Sequence, residues 1–363
     1  MAIIDNPTTI VGAGGGPVTE DTALKYMLEN KTNYAGIAAG LTDLTTLPTF
    51  TQPAGITTFT NMFDGCTSLT SIGGLTIPTS GAEISYMFRN CSSLTQIPSA
   101  IMDGIGSISN ANYAFYYCSG LAGALAYNYK TGNSAIRMFY HCDNLTSITI
   151  TRTSGNGYTN VDYMFAYCSN ATSITVPISG ANFPDFVSCE FMFSFSPSLR
   201  TVTIRCGTGG VQPLDMYSMF YGCSSLETVT LDGTNATNKV IHAKRCTRIS
   251  SMFDRCSALT AVPKIDQTQN VTTFQNMFRD CSSLTTIPTY DMSSATNISN
   301  YVSGCTSLSN TSLNNIMASL LTATSFTGTK TLKYVGFSSA QATTATGLSN
   351  WSALSAAGWT TGY

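Results

Sequence analysis

The chain has 363 residues, with 17 Lys and Arg against 19 Asp and Glu, and 10% of it is charged, where a soluble domain usually carries about 25%. This balance argues against electrostatic binding to nucleic acids or anionic membranes, which requires clustered positive charge. With 43% apolar residues, the chain can bury a sizeable core, which argues against disorder.

Residues 1–18 predict an N-terminal arm and a glycine-rich hinge. No basic residue precedes Lys25 and no long apolar run is present, so we expect neither a targeting segment nor membrane insertion. The stretch from Gly12 to Pro17 is similar to a dinucleotide-binding loop, but Pro17 stands at the last glycine position. We therefore expect a hinge, and an arm suited to pairing with the sheet edge of a partner.

Residues 19–40 predict an N-terminal capping helix and the start of a first, degenerate repeat. The segment from Thr19 has acidic residues in its first turn, and Leu24, Met27 and Leu28 follow at helical spacing. A helix here would cover the apolar end of whatever repeats follow it.

One motif recurs through residues 41–311. A degenerate copy lies at Leu41, Leu44 and Leu47, and the full motif M-F-x-x-C-x-x-L-x-x-[IV] then begins, with small variations, at Met62, Met87, Ala114, Met138, Met164, Met192, Met219, Met252, Met277 and Tyr301. A period of about 26 residues is typical of a solenoid, in which each unit buries its apolar face against its neighbours.

Within each unit, Phe, Cys and Leu at steps of three predict one tight helical turn, and the following L-T-x-[IV] predicts a short strand. At these residues the chain resembles the BspA-like repeats of the leucine-rich-repeat superfamily. The resemblance implies an α/β repeat fold, a right-handed solenoid of about eleven coils with terminal caps. It also implies a role in adhesion or recognition, although fold does not fix function.

Residues 312–363 break the repeat and predict a C-terminal cap. The segment from Ser312 predicts a helix, and Trp351 and Trp359 are expected to plug the last coil. The closing G-L-S-N-W-S-A-L-S-A-A-G-W-T-T-G-Y is similar to the ends of repeat-bearing virion and surface proteins of bacteriophages and gut bacteria.

The cysteines follow the repeat. Ser196 replaces cysteine in one copy, and the slot is otherwise filled by Cys66, Cys91, Cys118, Cys142, Cys168, Cys223, Cys256, Cys281 and Cys305. Since the paired spacing of a metal site is absent, we expect buried free thiols and no metal. A disulfide between neighbouring coils stays open as an alternative. The pattern assigns no role to Cys189, Cys206 and Cys246.

The two histidines do not predict an enzyme. His141 adjoins Cys142, but the two occupy different slots of the repeat, so their side chains should point in different directions. We therefore expect no catalytic residue and no cofactor. The second histidine belongs to a basic cluster that is a candidate docking patch for an acidic partner, or else a solvated loop: Lys239, His242, Lys244, Arg245 and Arg248.

The two free positions between Phe and Cys are the candidate binding surface. Stacked in register, they place aromatic rings on five neighbouring coils at Tyr116, Tyr117, Tyr140, His141, Tyr167, Phe195 and Tyr221. Such rings recognise glycan or protein surfaces with little loss of side-chain freedom. The alternative is that they pack on one another to stiffen the solenoid. On the flanking coils, the same positions predict exposed ion pairs, with Asp64 facing Arg89, Asp254 facing Arg279 and Arg255 facing Asp280.

Together these features predict a non-enzymatic virion protein of a bacteriophage, tail- or capsid-associated and assembled in the host cytoplasm. We expect the arm to contact other virion proteins, the solenoid to bind a host glycan or protein, and the chain to form a homo-oligomer or part of a larger assembly. The alternatives are a bacterial BspA-like surface adhesin and an intracellular interaction scaffold.

Overall fold

The computed structural model describes residues 20–78, 81–97, 108–129, 134–152, 160–177, 188–205, 213–232 and 239–363. The predicted arm and hinge, and Cys206, lie outside these residues. Helix α1 spans Glu20–Asn30, and it buries Leu24 and Leu28 against the core.

Strands follow at regular intervals along the described chain. They are β1 (Ala82–Glu83), β2 (Ile108–Asn110), β3 (Gly123–Tyr129), β4 (Leu145–Arg152), β5 (Ser173–Pro177), β6 (Thr201–Arg205), β7 (Thr228–Asp232), β8 (Ile241–His242) and β9 (Ile265–Asp266). They form three sheets, β1-β2, β3-β4-β5-β6-β7 and β8-β9. Every pair is parallel and joins strands that are consecutive in the chain.

This arrangement is a β-solenoid, because parallel neighbours that are consecutive in sequence require one full coil of chain between them. The last apolar slot of the repeat lies in register across four strands, at Ile148, Ile174, Val202 and Val229. Strands β3 to β7 give five successive turns. The count of eleven coils stays a prediction.

The Phe-x-x-Cys segment forms tight turns, and the predicted helical turn is wrong. The Cys66 N–H donates to the Phe63 carbonyl at 3.0 Å, while Gly65, the third residue of this turn, has φ of 77°, as in a type II turn. The Phe63 and Gly65 N–H groups donate to carbonyls of the next coil, at Met87 and Arg89, both at 2.8 Å. The turns therefore pair coil to coil, as the strands do.

The core consists of ladders that the repeat brings into register. Consecutive rings stack with centroids 5.1 to 6.0 Å apart at Phe63, Phe88, Phe115, Phe139, Phe165, Phe193, Phe220, Phe253 and Phe278. Each slot cysteine donates to a carbonyl of the preceding coil, as Cys118 Sγ does to the Phe88 oxygen at 2.9 Å. Ser196 makes the same bond to Phe165, at 3.3 Å.

The C-terminal residues form α2 (Asn310–Thr322), α3 (Leu332–Val335), α4 (Ser339–Ala345) and α5 (Trp351–Ala356). Two N–H groups of the last repeat, at Asn300 and Val302, donate to carbonyls of α3. Trp359 is buried and stacks on Phe326, with ring centroids 5.9 Å apart. The capping roles and the boundaries at residues 40 and 311 stay predictions. Among the described helices, none is long and apolar enough to cross a bilayer.

Candidate functional site

The seven aromatic residues predicted between Phe and Cys lie together on the surface, and we call them the aromatic ridge. They are Tyr116, Tyr117, Tyr140, His141, Tyr167, Phe195 and Tyr221. Four of the rings form one stack, in which Tyr117, His141, Tyr167 and Phe195 follow at centroid distances of 4.4, 4.4 and 4.5 Å. Tyr116 stacks on Tyr140 at 5.0 Å beside them, and Tyr221 contacts the end of the stack edge-on, at 5.0 Å from Phe195.

The backbone under this stack is left-handed. The φ angles are 58° at Tyr117, 57° at His141, 62° at Tyr167 and 56° at Phe195. A bulky residue costs about 1 to 2 kcal/mol in this conformation. On other coils the same position is held by Gly65, Asn90, Gly222, Arg255, Asp280 and Gly304. Gly and Asn adopt this conformation most readily, so the four rings occupy positions that local geometry would assign to smaller residues.

A second row of residues, which sequence reasoning missed, runs beside the ridge. It consists of the residue before the first position of the motif in five successive coils, namely Tyr86, Tyr113, Arg137, Tyr163 and Phe191. These residues also have positive φ, between 52° and 58°. The rings of Tyr86 and Tyr113 stack at 4.7 Å, and those of Tyr163 and Phe191 stack at 4.6 Å. The signal was present in the sequence, because an aromatic residue precedes the motif in four of these five coils.

Arg137 connects the second row to the ridge. Its guanidinium carbon lies 5.6 Å from the ring centroids of Tyr113 and Tyr140, and 4.6 Å from that of Tyr163. Its Nη1 donates to the Tyr113 hydroxyl at 3.0 Å. Each such contact of a cation with a ring face contributes about 0.5 to 2 kcal/mol. Arg137 is therefore fixed in place by aromatic rings.

Four tyrosine hydroxyls of this surface, at Tyr116, Tyr140, Tyr163 and Tyr167, are protonated at neutral pH. Burial raises the pKa of Tyr140 to about 12. Burial also raises the pKa of Tyr116, Tyr163 and Tyr167. The surface therefore presents neutral hydroxyls that can both donate and accept hydrogen bonds.

His141 and Cys142 point in different directions. Cys142 is fully buried and donates to the Phe115 carbonyl at 3.3 Å, and burial raises the pKa of its thiol. The His141 ring lies in the stack, with Nδ1 at 3.4 Å from Asp143 Oδ2. The thiol therefore lacks the adjacent base that activates a nucleophile.

The predicted basic patch is partly neutralised by neighbouring carboxylates. Arg248 Nε donates to Asp215 Oδ2 at 2.6 Å, and Arg248 also pairs with Glu190. His242 Nδ1 lies 2.6 Å from Asp266 Oδ1. The remaining members are exposed, at Lys239, Lys244 and Arg245. The docking role of this patch stays a prediction.

The other candidate features of the described residues are buried thiols and one cavity. The eleven cysteines within the described residues are free and buried, and those residues contain no cluster of His, Cys, Asp or Glu that could hold a metal ion. A cavity of about 300 Å³ lies where the last repeat meets α3 and α4. Its lining includes Cys305, whose thiol has a pKa raised by burial to about 12, and Lys333, but no Asp or Glu.

Comparisons with known proteins agree with this repeat architecture. A family profile described as the BspA type leucine rich repeat region matches in six copies, over residues 41–161, 84–227 and 136–251. A second profile, described as a Mycoplasma protein of unknown function, matches residues 214–333. No curated protein matches the chain.

Two solved structures are similar. A leucine rich cell surface protein from Faecalibacterium prausnitzii A2-165 is 20% identical, over 73% of this chain and 78% of its own, with a TM-score of 0.30. A leucine-rich repeat protein from Bacteroides ovatus ATCC 8483 is 18% identical, over 75% of this chain and 79% of its own, with a TM-score of 0.32. Because the copies of the BspA-type profile together cover more than half of the residues of the chain, the chain belongs to the BspA-type leucine-rich repeat family.

Proposed function

We propose that this protein is a non-enzymatic recognition protein whose binding surface is the aromatic ridge with its second row. The observation that carries the proposal is the backbone conformation under the stack. Four successive coils hold Tyr117, His141, Tyr167 and Phe195 at left-handed φ, where Gly would avoid the conformational cost. Such strain is typical of positions that serve a function beyond the local fold.

The same rings also stiffen the solenoid, and the two roles are compatible. Stacking contributes about 0.5 to 1.5 kcal/mol per pair, which is similar in size to the conformational cost. The net gain in stability from each ring is therefore small. Partial exposure of the ridge, greatest at Tyr117 with 40%, leaves ring edges and hydroxyls available to a partner. Pre-stacked rings would also lose little entropy on binding.

We place this activity on a bacterial surface or on a virion. Membership in the BspA-type family supports a surface adhesin or interaction protein. The location on a bacteriophage virion rests on the similarity of the closing residues to the ends of virion and surface proteins. In that setting, the N-terminal arm would bind other virion proteins and the chain would form a homo-oligomer or part of a larger assembly.

We also propose that the solenoid has about eleven coils and terminal caps. Turn-to-turn hydrogen bonds from Tyr34 N to Thr58 O and from Phe274 N to Asn297 O, both 2.9 Å, support it.

Binding of the purified, fluorescently labelled protein to arrayed glycans and to intact bacterial cells tests the ridge. The variant is Tyr117→Asn combined with Tyr167→Asn, because Asn90 occupies the equivalent position one coil earlier with φ of 63°. The matched control is Tyr26→Ser, which removes a ring that is 67% exposed on α1. We expect binding to fall at least about tenfold in the double variant, as for loss of a hot spot, and to persist in the control.

Equal binding by the double variant and the wild type, with thermal unfolding unchanged, would refute the ridge as the binding surface. A fractionation experiment distinguishes the virion from the bacterial surface as the location of the protein. Sedimentation of the protein with phage particles supports the virion, whereas its presence on intact bacterial cells, shown by antibody labelling, supports the adhesin.

A further inference from the structure

We propose that Arg137 is the centre of an oxyanion site on the ridge, and that the ligand is an acidic saccharide carrying a carboxylate or sulfate group. This inference rests on the proposed function and names the ligand class of the same surface. It starts from a difference between Arg137 and three other arginines of this face.

Three arginines of this face are paired with carboxylates on neighbouring coils. Arg89 pairs with Asp64, Arg248 with Asp215 and Arg279 with Asp254. Arg137 forms no ion pair with any carboxylate of the described residues. Its Nε is buried and has no hydrogen-bond acceptor. A guanidinium N–H buried without an acceptor is unfavourable, so an oxygen ligand that reaches this group would be stabilised there.

The rings around Arg137 hold the guanidinium ready for such a ligand. The Tyr113 hydroxyl accepts from Nη1, so its own proton is free to be donated elsewhere. The rings of Tyr140 and Tyr163 flank the same cation, and their hydroxyls are additional donors. Guanidinium and hydroxyl donors in a partly buried setting are suited to carboxylate or sulfate oxygens.

The same surface does not suit a peptide. Recognition of a peptide by strand addition needs free backbone groups. The N–H groups of Tyr113, Arg137 and Tyr163 all donate to the next coil, at 2.8 to 2.9 Å. Ala166 and Ser194, the small residues between the two rows, are fully covered, so they open no side-chain pocket at their own positions.

What this surface offers is ring edges, neutral hydroxyls and, at Arg137, a cation with a buried N–H that lacks an acceptor. Stacking covers most ring faces, so a neutral sugar finds few open faces on which to lie. A chain of hydroxyl-bearing units with a regularly placed anionic group matches these donors, since each hydroxyl can pair with a tyrosine and the anion with Arg137.

The experiment is a set of isothermal titrations of the full chain at low ionic strength. The probes are a short oligogalacturonate, its carboxyl-reduced neutral counterpart, a sulfated galactan oligosaccharide and a polyglutamate peptide of equal charge. The variants are Arg137→Met, which keeps the apolar stem, and Arg137→Lys, which keeps the charge but loses the planar fork. The matched control is Arg255→Met, because Arg255 also lies over a ridge ring, at 5.5 Å from the Tyr221 centroid.

We expect at least one acidic saccharide to bind at least about tenfold more tightly than the neutral one, as for a charge-assisted hydrogen bond. Arg137→Met should abolish that preference, Arg137→Lys should reduce it, and Arg255→Met should retain it. Tighter binding of the oligogalacturonate would identify the anionic group of the ligand as a carboxylate, and tighter binding of the sulfated galactan would identify it as a sulfate. Polyglutamate binding that equals saccharide binding would overturn the saccharide assignment.

Equal affinity for acidic and neutral saccharides, or an unchanged preference in Arg137→Met, would overturn the oxyanion site. The double variant Tyr117→Asn, Tyr167→Asn separates this failure from failure of the proposed function. If that variant loses binding while Arg137→Met does not, the ridge binds a ligand without an oxyanion. If neither variant changes binding, the ridge is not the binding surface.

Discussion

Asp254 lies inside the solenoid and pairs with Arg279 of the next coil. Its side chain is 1% exposed, with Oδ1 3.0 Å from Arg279 Nε and Oδ2 2.7 Å from Nη2. Burial raises the pKa of Asp254, while the hydrogen bond from Arg279 acts in the opposite direction. The predicted facing of these two residues is confirmed, but the pair is not a fully exposed one. The ion pair predicted beside it, between the described residues Arg255 and Asp280, is not formed, and Arg255 lies over the Tyr221 ring instead.

Removing Arg279 should therefore destabilise the fold far more than removing an exposed arginine. We expect Arg279→Met to cost about 3 to 5 kcal/mol, because it leaves a buried carboxylate without its partner. The control is Arg200→Met, since Arg200 is 61% exposed in its pair with Glu227, and it should cost about 0 to 1 kcal/mol. Urea unfolding followed by circular dichroism measures both. Equal losses of unfolding free energy in the two variants would mean that water screens the Asp254 carboxylate as it screens the exposed Glu227.

The sequence predicts the solenoid because its signal is repetition. Phe, Cys and Leu recur at fixed spacing, and each residue type forms its own ladder in the structure. The ridge is predicted for the same reason, since positions free to vary must still lie in register from coil to coil. The pairs Asp64 with Arg89 and Asp254 with Arg279 follow from that register as well.

The local conformation of the repeat is harder to predict. Apolar residues three apart fit one turn of a helix, but they also fit a tight turn with a positive φ at its third residue. Gly65, Gly222 and Gly304 at that position are the signal for the turn, and the aromatic residues on the ridge obscure it. The missing acceptor for Arg137 Nε cannot be predicted at all, because it depends on how the rings pack in three dimensions.

The phenylalanine ladder should dominate stability. Phe220 is fully buried between Phe193 and Phe253, with centroids 5.2 and 5.1 Å away. We expect Phe220→Ala to cost about 3 to 5 kcal/mol, as for other large cavities. Phe195→Ala, which removes a half-buried ring from the ridge, should cost about 1 kcal/mol. Guanidinium unfolding compares the two, and similar midpoints would contradict the assignment of Phe220 to the core.

Gly336 should be essential to the contact between the last repeat and the C-terminal helices. Its φ is 102°, and a Cβ there would lie 2.5 Å from the Ser303 nitrogen and 2.8 Å from the Ser303 Cα. We expect Gly336→Ala to cost about 3 kcal/mol or more, because backbone must move. Gly358→Ala has a similar φ of 89° but open space around it, so it should cost only about 1 kcal/mol.

Limited proteolysis tests this prediction locally. In Gly336→Ala, cleavage within residues 310–363 should appear before the repeats are cut, whereas Gly358→Ala should remain as resistant as the wild type. Resistance of Gly336→Ala equal to that of the wild type would show that Ser303 moves aside at little cost.

The buried thiols should make the protein unstable in alkali. Burial raises the pKa of Cys66 and Cys223 from an ordinary value of 9.0 to about 12. Well below a pH of about 9, these thiols are protonated in the folded and unfolded chains alike, so their contribution to stability is complete there. As pH rises from about 9 to about 12, only the unfolded chain loses protons, and the free energy of unfolding falls by up to about 1.4 kcal/mol per pH unit for each thiol.

Urea unfolding under reducing conditions at pH 7, 9 and 10.5 measures this loss. We expect a moderate decrease in the midpoint from pH 7 to 9 and a steeper one from pH 9 to 10.5, because an exposed thiol is half ionised at pH 9 and most of the titration lies above that pH. The control is Cys223→Ser, since Ser196 fills the same slot with the same hydrogen bond. This variant should lose less stability between pH 9 and 10.5 than the wild type. An equal loss in both would assign the alkaline transition to groups such as Tyr140, whose pKa burial also raises to about 12.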